Sequence, residues 1–436
     1  MTNLLLVNAR IIDPVRKLDA RADLIVRDGI IQPLSASRED LTPIDSSRYL
    51  VAPGFWDAHV HFRDPGNSLA ETRRTGAEAA SAGGFTRVVT MPNTTPAGDS
   101  PLWLREQIED TSLPVRILPS ACITLGRRGT EVANLDLLAR SGASCFTDDG
   151  AMVTDDAVMR SAMKQAAALH KPIMDHAVIP TLAKKGIIRD CELARRFQLP
   201  VFPPEAEIEA VARDIRLCRE TGCALDIQHV STAGAVAAIR AARREGLPVT
   251  GEASPHHLAL AAEDIPHDDG NFRMNPPLGT RADVRAIRDG VLDGTLSLFA
   301  TDHAPHTVDT KSQGFLKAPF GVIGLETALG VTWKVMVEEE RLSVSDWVAR
   351  WTLGPAALLG LPAPTLAPGS KADFVIIDPS VPWRVDPGAF RSLSRNTPFA
   401  GWTLNARAML TVCDGRTTFV RMDPQSPFWQ YTLSRI

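Results

Sequence analysis

The sequence has no long apolar run, no surplus of one charge and no paired cysteine spacing, and each absence removes a class of protein. Its opening, MTNLLLVNARIIDP, is apolar only from Leu4 to Val7, with no basic stretch before it. That is too short for a signal peptide or a membrane span, so a cytoplasmic location is expected. With 47 basic against 51 acidic residues the net charge is -4, which gives no footprint for nucleic acid or a membrane surface. Six cysteines (Cys122, Cys145, Cys191, Cys218, Cys223, Cys413) are scattered, which points to reduced, structural thiols rather than a disulfide scaffold. No glycine-rich nucleotide loop follows the first strand of the middle region, which argues against an open doubly wound sheet.

What is present is an ordinary globular composition, 44% hydrophobic and 22% charged over 436 residues, enough for one large domain and a smaller one. The first fifty residues read as short strands and turns: LLLVNARII, ADLIVRDGIIQPL with a turn at Asp28-Gly29, then YLVAPG. The same texture returns after Gly369, in KADFVIIDP and in AMLTVCDGRTTFV with its turn at Asp414-Gly415. Between them, eight candidate strands alternate with helical spacing: FWDAHVHF, TRVVTMPN, VRILPSACI, ASCFTDDG, PIMDHA, ALDIQHV, PVTGEASPHH and LSLFATDHAPH. The predicted architecture is α/β, a (β/α)8 TIM barrel over 54–361 with a small β-sandwich domain built from both chain ends, 1–53 and 362–422. A tail over 423–436 follows. The active site of such a barrel lies at the carboxyl ends of its strands.

The histidines fall at those ends. His59 and His61 close the first candidate strand, His176 the fifth and His229 the sixth, while Asp302, His303 and His306 close the eighth. Residues two apart on a strand share a side, so His59 and His61 can grip one ion. Imidazole with carboxylate suits zinc or a related divalent metal. The pair alone decides little, and His176 or His229 read equally well as core histidines bonded to backbone. Asp302 adds weight because a carboxylate after an apolar run is costly to bury without a metal or another charge. His170 and His267 sit in turns and read as solvent-facing, and His256 and His257 as rim residues beyond strand seven.

Taken in order, GFWDAHVHFRDPG, MPNTTP, FTDDG, MDH, QHVST, SPHH, RMNPPL and ATDHAPH resemble the dihydroorotases of the amidohydrolase superfamily, in particular the bacterial type I branch. The resemblance continues through PGSKADFVIID and SRNTPFAG and so covers nearly the whole chain. It implies a site for one or two Zn2+ ions held by His59, His61, Asp149, His176, His229 and Asp302. Hydantoinases, allantoinases and other dihydroorotase branches keep a carboxylated lysine in the fourth strand; here that strand reads Phe146-Thr147-Asp148-Asp149-Gly150. The resemblance implies Asp149 as the bridging carboxylate there, or as a group standing behind the ligands, and favours it over Asp148 because adjacent strand residues face opposite ways.

The activity implied is the reversible cyclisation of N-carbamoyl-L-aspartate to L-dihydroorotate in de novo pyrimidine (UMP) biosynthesis, with Asp302 moving the proton between water and the ring nitrogen. Arg63 lies two residues past His61, so alternation puts it on the same side, and its planar fork suits a carboxylate. Asn93, Asn275 and His306 match the family's other substrate contacts, and Phe320 and Gly321 its backbone contacts to the ring. The bland alternatives are a surface salt bridge for Arg63 and turn caps beside proline for the two asparagines. The polar stretch from Val308 to Lys317 is placed as a lid would be, although an ordinary surface loop has the same composition.

Three departures from the pattern stand out: Trp56 in place of a small aliphatic residue, Thr310 where relatives often have glutamate, and the tail. None removes a ligand. A homodimer is expected, with a possible complex with aspartate transcarbamoylase. The competing readings are a hydantoinase- or allantoinase-like hydrolase, which the missing lysine and Arg63 oppose, and a non-catalytic partner of the transcarbamoylase, which the full set of ligands opposes.

Overall fold

The computed structural model describes residues 1–433, and it is an α/β structure in which strands from the two chain ends meet in one sheet. Leu4–Asp13 pairs antiparallel with Leu18–Arg27 and parallel with Leu50–Pro53. Leu50–Pro53 pairs with Phe374–Asp378, and that strand in turn with Arg407–Cys413 and on to Arg416–Val420. The sheet has eight strands. Its core, built around Leu6, Ile11, Val51, Phe374, Ile376 and Val412, is distinct from that of the middle region. Residues alternate between this core and the other face of each strand, which is why the two ends share one texture.

In the middle region all strand pairing is parallel, and it forms two arcs. Phe55–Val60, Phe85–Thr90 and Arg116–Pro119 pair in that order. Ile173–Asp175, Leu225–Ile227, Val249–Ala253 and Leu298–Phe299 form the second arc. ASCFTDDG, expected as a full strand, makes no ladder. Phe146 alone links the arcs, bridging Ala121 on one side and Ile173 on the other. At the opposite seam Val60 bridges His303. The chain leaves the extended conformation here because Asp148 and Asp149 turn to separate partners, described below.

Helices pack outside these strands. Glu205–Thr221 buries Ala206, Ala210, Val211, Leu217 and Cys218, a helical stripe, and stops at Gly222, whose φ of 70° suits glycine. Ala233–Arg244 begins at Thr232, whose hydroxyl accepts from the Ala235 amide. At the amino ends of the strands Phe55 and Phe85 meet Trp347 and Trp351, with ring centroids 5.4 Å apart for Phe55–Trp347 and 5.1 Å for Phe85–Trp351. That aromatic plug leaves the carboxyl ends for polar groups. Among the described residues, no helix is long and apolar enough to cross a membrane.

Several local expectations are corrected here and others hold. His256 and His257 are buried, not at an exposed rim: both face Ser254 Oγ, and His257 Nε2 lies 3.1 Å from the Pro276 carbonyl oxygen. The polar stretch after strand eight opens with a short helix, Val308–Lys311, and its Lys311 is buried. Thr310 donates within that turn to the Thr307 carbonyl. The tail docks on its own chain: Phe428 is fully buried with its ring 4.8 Å from Tyr49, and Tyr431 donates to the Asn3 carbonyl. The last part of the tail, 434–436, lies outside the described residues. Trp56 is buried with Ala58, Val89, Met91 and Met174, and the Arg87 guanidinium covers its ring at 4.2 Å. His170 and His267 are exposed, and all six cysteines are buried and free.

Candidate metal centre and substrate wall

The six residues expected to hold metal come together. His59 is the fifth residue of its strand and His61 follows the strand directly, both with Nε2 aimed at one point. Asp302 Oδ1 lies 3.0 Å from His61 Nε2 and 3.6 Å from His59 Nε2. Asp149 faces the same pair from the segment between the two arcs, with Oδ1 3.4 Å from His59 Nε2 and Oδ2 3.6 Å from His61 Nε2. His176 Nδ1 stands 2.8 Å from His229 Nε2 and 4.0 Å from Asp149 Oδ1. Two groups have donor atoms all within 4.8 Å of one another: His59, His61 and Asp302, and His59, Asp149 and His229.

Asp148, the alternative in the fourth segment, turns away. Its carboxylate accepts from the amides of Ile123 (2.8 Å) and Thr124 (3.1 Å) and from the Thr124 hydroxyl. Opposite orientation of neighbouring residues therefore holds even without a ladder.

The donor set fits a cation. His59 Nε2 is buried with no hydrogen-bond partner, although two carboxylates stand within 3.6 Å of it. His59 Nδ1 is taken by Glu252 Oε2 at 3.0 Å, which leaves Nε2 as the free donor atom. Burial presses the His59 pKa down, but Glu252 and Asp149 overcome it and hold the ring well above its usual value. Burial likewise pushes Asp149 and Asp302 up, and the two histidines reverse it, through the charges of His61 and His59 at Asp149 and chiefly through the His61 hydrogen bond at Asp302, holding both carboxyls well below the usual range. Burial lowers the pKa of His176 and of His229, which favours the neutral imidazole that binds a metal. Three carboxylates around four buried imidazoles call for positive charge.

Backbone strain marks the same place. Asp302 has a φ of 47° and His229 of 35°, left-handed values that cost a non-glycine residue on the order of 1 kcal/mol or more. The Asp57 carboxylate accepts from the Thr301 amide (3.0 Å), the Thr301 hydroxyl (2.5 Å) and the His59 amide (3.1 Å), and so ties the segment bearing Asp302 to the first strand. Glu252 also accepts from the His229 amide at 2.8 Å. Neither Asp57 nor Glu252 is among the residues singled out from the sequence. The argument that flags Asp302, a carboxylate in an apolar strand end, applies equally to Glu252; it also flags buried Asp226, which it cannot distinguish.

The expected substrate contacts line one side. Alternation does not carry Arg63 there, because the strand ends at Val60 and Arg63 has a φ of 57°. A left-handed turn brings it in instead, with Nε 3.2 Å from the Pro305 carbonyl oxygen and Nη2 3.4 Å from His306 Nε2. Burial lowers the Arg63 pKa, opposed by the charges of Asp302 and Asp149. His306 Nε2 donates to the Phe320 carbonyl at 2.7 Å. Asn93 and Asn275 each touch an expected metal ligand: Asn93 spans His61 Nδ1 (3.0 Å) and Asp149 Oδ2 (2.9 Å), and Asn275 Nδ2 lies 2.8 Å from His176 Nε2.

The chain is similar to known proteins over most of its length. A dihydro-orotase-like family profile matches residues 48–235, and an amidohydrolase profile matches 317–419. A dihydroorotase of Syntrophotalea carbinolica is 42% identical over 420 residues, covering 95% of this chain and 99% of that protein. One from Geobacillus kaustophilus is 43% identical over 387 residues, 88% of this chain and 90% of the other. Among solved structures, an L-hydantoinase (dihydropyrimidinase) from Arthrobacter aurescens superposes with a TM-score of 0.85 at 25% identity, covering 97% of each chain.

Proposed function

This chain belongs to the dihydroorotase family, a group of cyclic-amide hydrolases, and on that premise we propose how its residues divide the work. The reaction is the reversible closure of N-carbamoyl-L-aspartate to L-dihydroorotate, a step of pyrimidine synthesis. The observation that carries the site assignment is His59 Nε2, buried and unpartnered between Asp149 and Asp302.

His59, His61 and Asp302 would hold one Zn2+, and His176 and His229 a second, with Asp149 between them. When bound, such an ion supplies Lewis acidity and a water of lowered pKa. Asp302 then serves as the proton mover: its carboxylate accepts a proton from the attacking water and returns it to the ring nitrogen as the amide opens, and the reverse on closure. Its strained backbone, braced through Thr301 and Asp57, keeps the carboxylate at the strand ends where both transfers occur. Arg63 anchors the free carboxylate of the substrate, with His306 and Asn93 beside it, and Asn275 and the Phe320–Gly321 backbone receive the ring.

The parallel bridges at Phe146 and at Val60–His303 support a closed (β/α)8 barrel over 54–361, and the separate core of the end-built sheet supports its curling into a small β-sandwich domain from 1–53 and 362–422. A cytoplasmic homodimer, able to dock aspartate transcarbamoylase, completes the reading. The hydantoinase-like alternative has the shared fold in its favour, but Asp149 stands where those enzymes keep lysine.

The test is hydrolysis of dihydroorotate followed beside dihydrouracil, with zinc content measured on the same protein. Dihydroorotate should be strongly preferred, and equal turnover of dihydrouracil would remove Arg63 as anchor. Asp302→Asn should lose at least about a hundredfold in kcat, the usual scale for an acid–base group. A rate near wild type would dismiss Asp302 as proton mover.

A further inference from the structure

The segment after strand eight is held down by a buried cation. Lys311 is 3% exposed, and its Nζ donates to three carbonyl oxygens: Arg273 at 3.0 Å, Pro319 at 3.0 Å and Gly321 at 2.8 Å. An ammonium has three N–H bonds, so every donor is used. Lysine is rarely buried, because its charge loses water, and it is tolerated inside a protein when hydrogen bonds replace that water. Here the replacements are peptide carbonyls of two segments that the substrate reading places against the ring. Arg273 is two residues before Asn275; Pro319 and Gly321 flank Phe320.

Other contacts tighten the same junction. The Gly321 amide donates to the Arg273 carbonyl at 3.0 Å, and Arg273 Nη1 donates to the carbonyls of Phe315 (2.8 Å) and Leu316 (2.7 Å). The Arg273 guanidinium covers the Phe320 ring at 4.3 Å. From the far side, Asn396 Nδ2 donates to the Gly321 carbonyl at 3.0 Å, while Asn396 Oδ1 accepts from the His306 amide at 3.2 Å. Gly321 has a φ of 135°, and a Cβ there would stand 2.7 Å from that of Ala304, so this backbone lies against the segment leading to His306. Of the two cations at this junction, Lys311 is the one whose hydrogen bonds join the Arg273 carbonyl directly to those of Pro319 and Gly321.

We infer that Lys311 is a positioning residue for substrate binding: its ammonium bolts the Phe320–Gly321 backbone to the segment carrying Asn275 and so presets the wall that receives the pyrimidine ring. This rests on the dihydroorotase reading of the site. Lys311 touches none of the six metal-site residues, so its contribution is to binding shared by ground and transition states rather than to the proton transfer.

The experiment compares zinc-loaded wild type with Lys311→Met, which keeps the stem and removes the donors, and with Lys311→Ala. Zinc content, steady-state hydrolysis of dihydroorotate, and hydrogen exchange over 312–321 are read on each. Zinc should be unchanged, exchange faster, and KM raised about tenfold or more with kcat within about threefold, the pattern of lost uniform binding. Added ethylammonium, which can seat a charge in the space left by Lys311→Ala, should lower KM again. An unchanged KM overturns the inference. So does a joint loss of zinc and kcat that ethylammonium does not restore, because Lys311 would then be supporting the whole fold. Should Lys311→Met not fold, Lys311→Gln, with two donors on a shorter stem, must give an intermediate KM. If the wild type turns over no dihydroorotate, the substrate reading fails by itself, and unaltered exchange over 312–321 would then sink the clamp separately.

Discussion

Glu252 shows how much of this site depends on residues with no chemistry of their own. Its carboxylate accepts from His59 Nδ1 and from the His229 amide, fixing the tautomer of one proposed ligand and the backbone of another. Partners of this kind are worth about 10- to 100-fold in metal affinity. Glu252→Gln should therefore weaken zinc binding by that order in a chelator competition, while the fully loaded variant keeps most of its kcat. Affinity equal to wild type would count against the orienting role. Chelation of the wild type should abolish activity, and zinc should restore it. At this scale the sequence was legible where side-chain direction follows a simple rule, as for His59 and His61, two apart at a strand end. Arg63 was found for a reason the fold does not use, since a left-handed turn and not alternation delivers it.

At the scale of elements, the short helix Pro255–Ala259 carries two buried histidines that the motif order alone placed at the rim. Burial pulls His256 from its ordinary 6.5 down to about 4. Between those values the unfolded chain binds a proton that the folded protein refuses. Stability therefore rises with pH across that window and is lost as pH falls from 6.5 toward 4. The effect is on the order of 2–3 kcal/mol for this one group. Denaturant unfolding at pH 7 and at pH 4.5 should show the loss, and His256→Gln should show a smaller one. An identical drop in the variant would assign the acid sensitivity elsewhere. ASCFTDDG illustrates the limit of reading elements from pattern. Its apolar run predicts a strand, but two bridges at the one residue Phe146 suffice once Asp148 is drawn to the Ile123 and Thr124 amides and Asp149 to the histidines.

For the whole molecule, the two chain ends are joined by more than the sheet. Phe428, at the start of the final helix, fills a space beside Tyr49 in the core shared by both ends. Replacing a buried phenylalanine by alanine costs about 3–5 kcal/mol. Phe428→Ala should lower the denaturation midpoint accordingly while leaving KM for dihydroorotate unchanged, since Phe428 packs in the core of the end-built sheet and not in that of the middle region. A changed KM with unchanged stability would give the tail a role at the site.

The sequence by itself determined the chemistry: which imidazoles and carboxylates are available, their place at the ends of apolar runs, the aspartate at position 149 and the matching texture of the two chain ends. These are local properties, set by residue type and by periods of two or about four residues. Tertiary structure alone decided what depends on residues far apart in the chain. It brought Glu252 to His59, Asp57 to Thr301, Asn396 to Gly321 and Lys311 to three carbonyls. Burial and partner are created together when those segments pack, so a carboxylate such as Glu252 and one such as Asp226 look alike until the fold supplies a histidine to one and a threonine to the other.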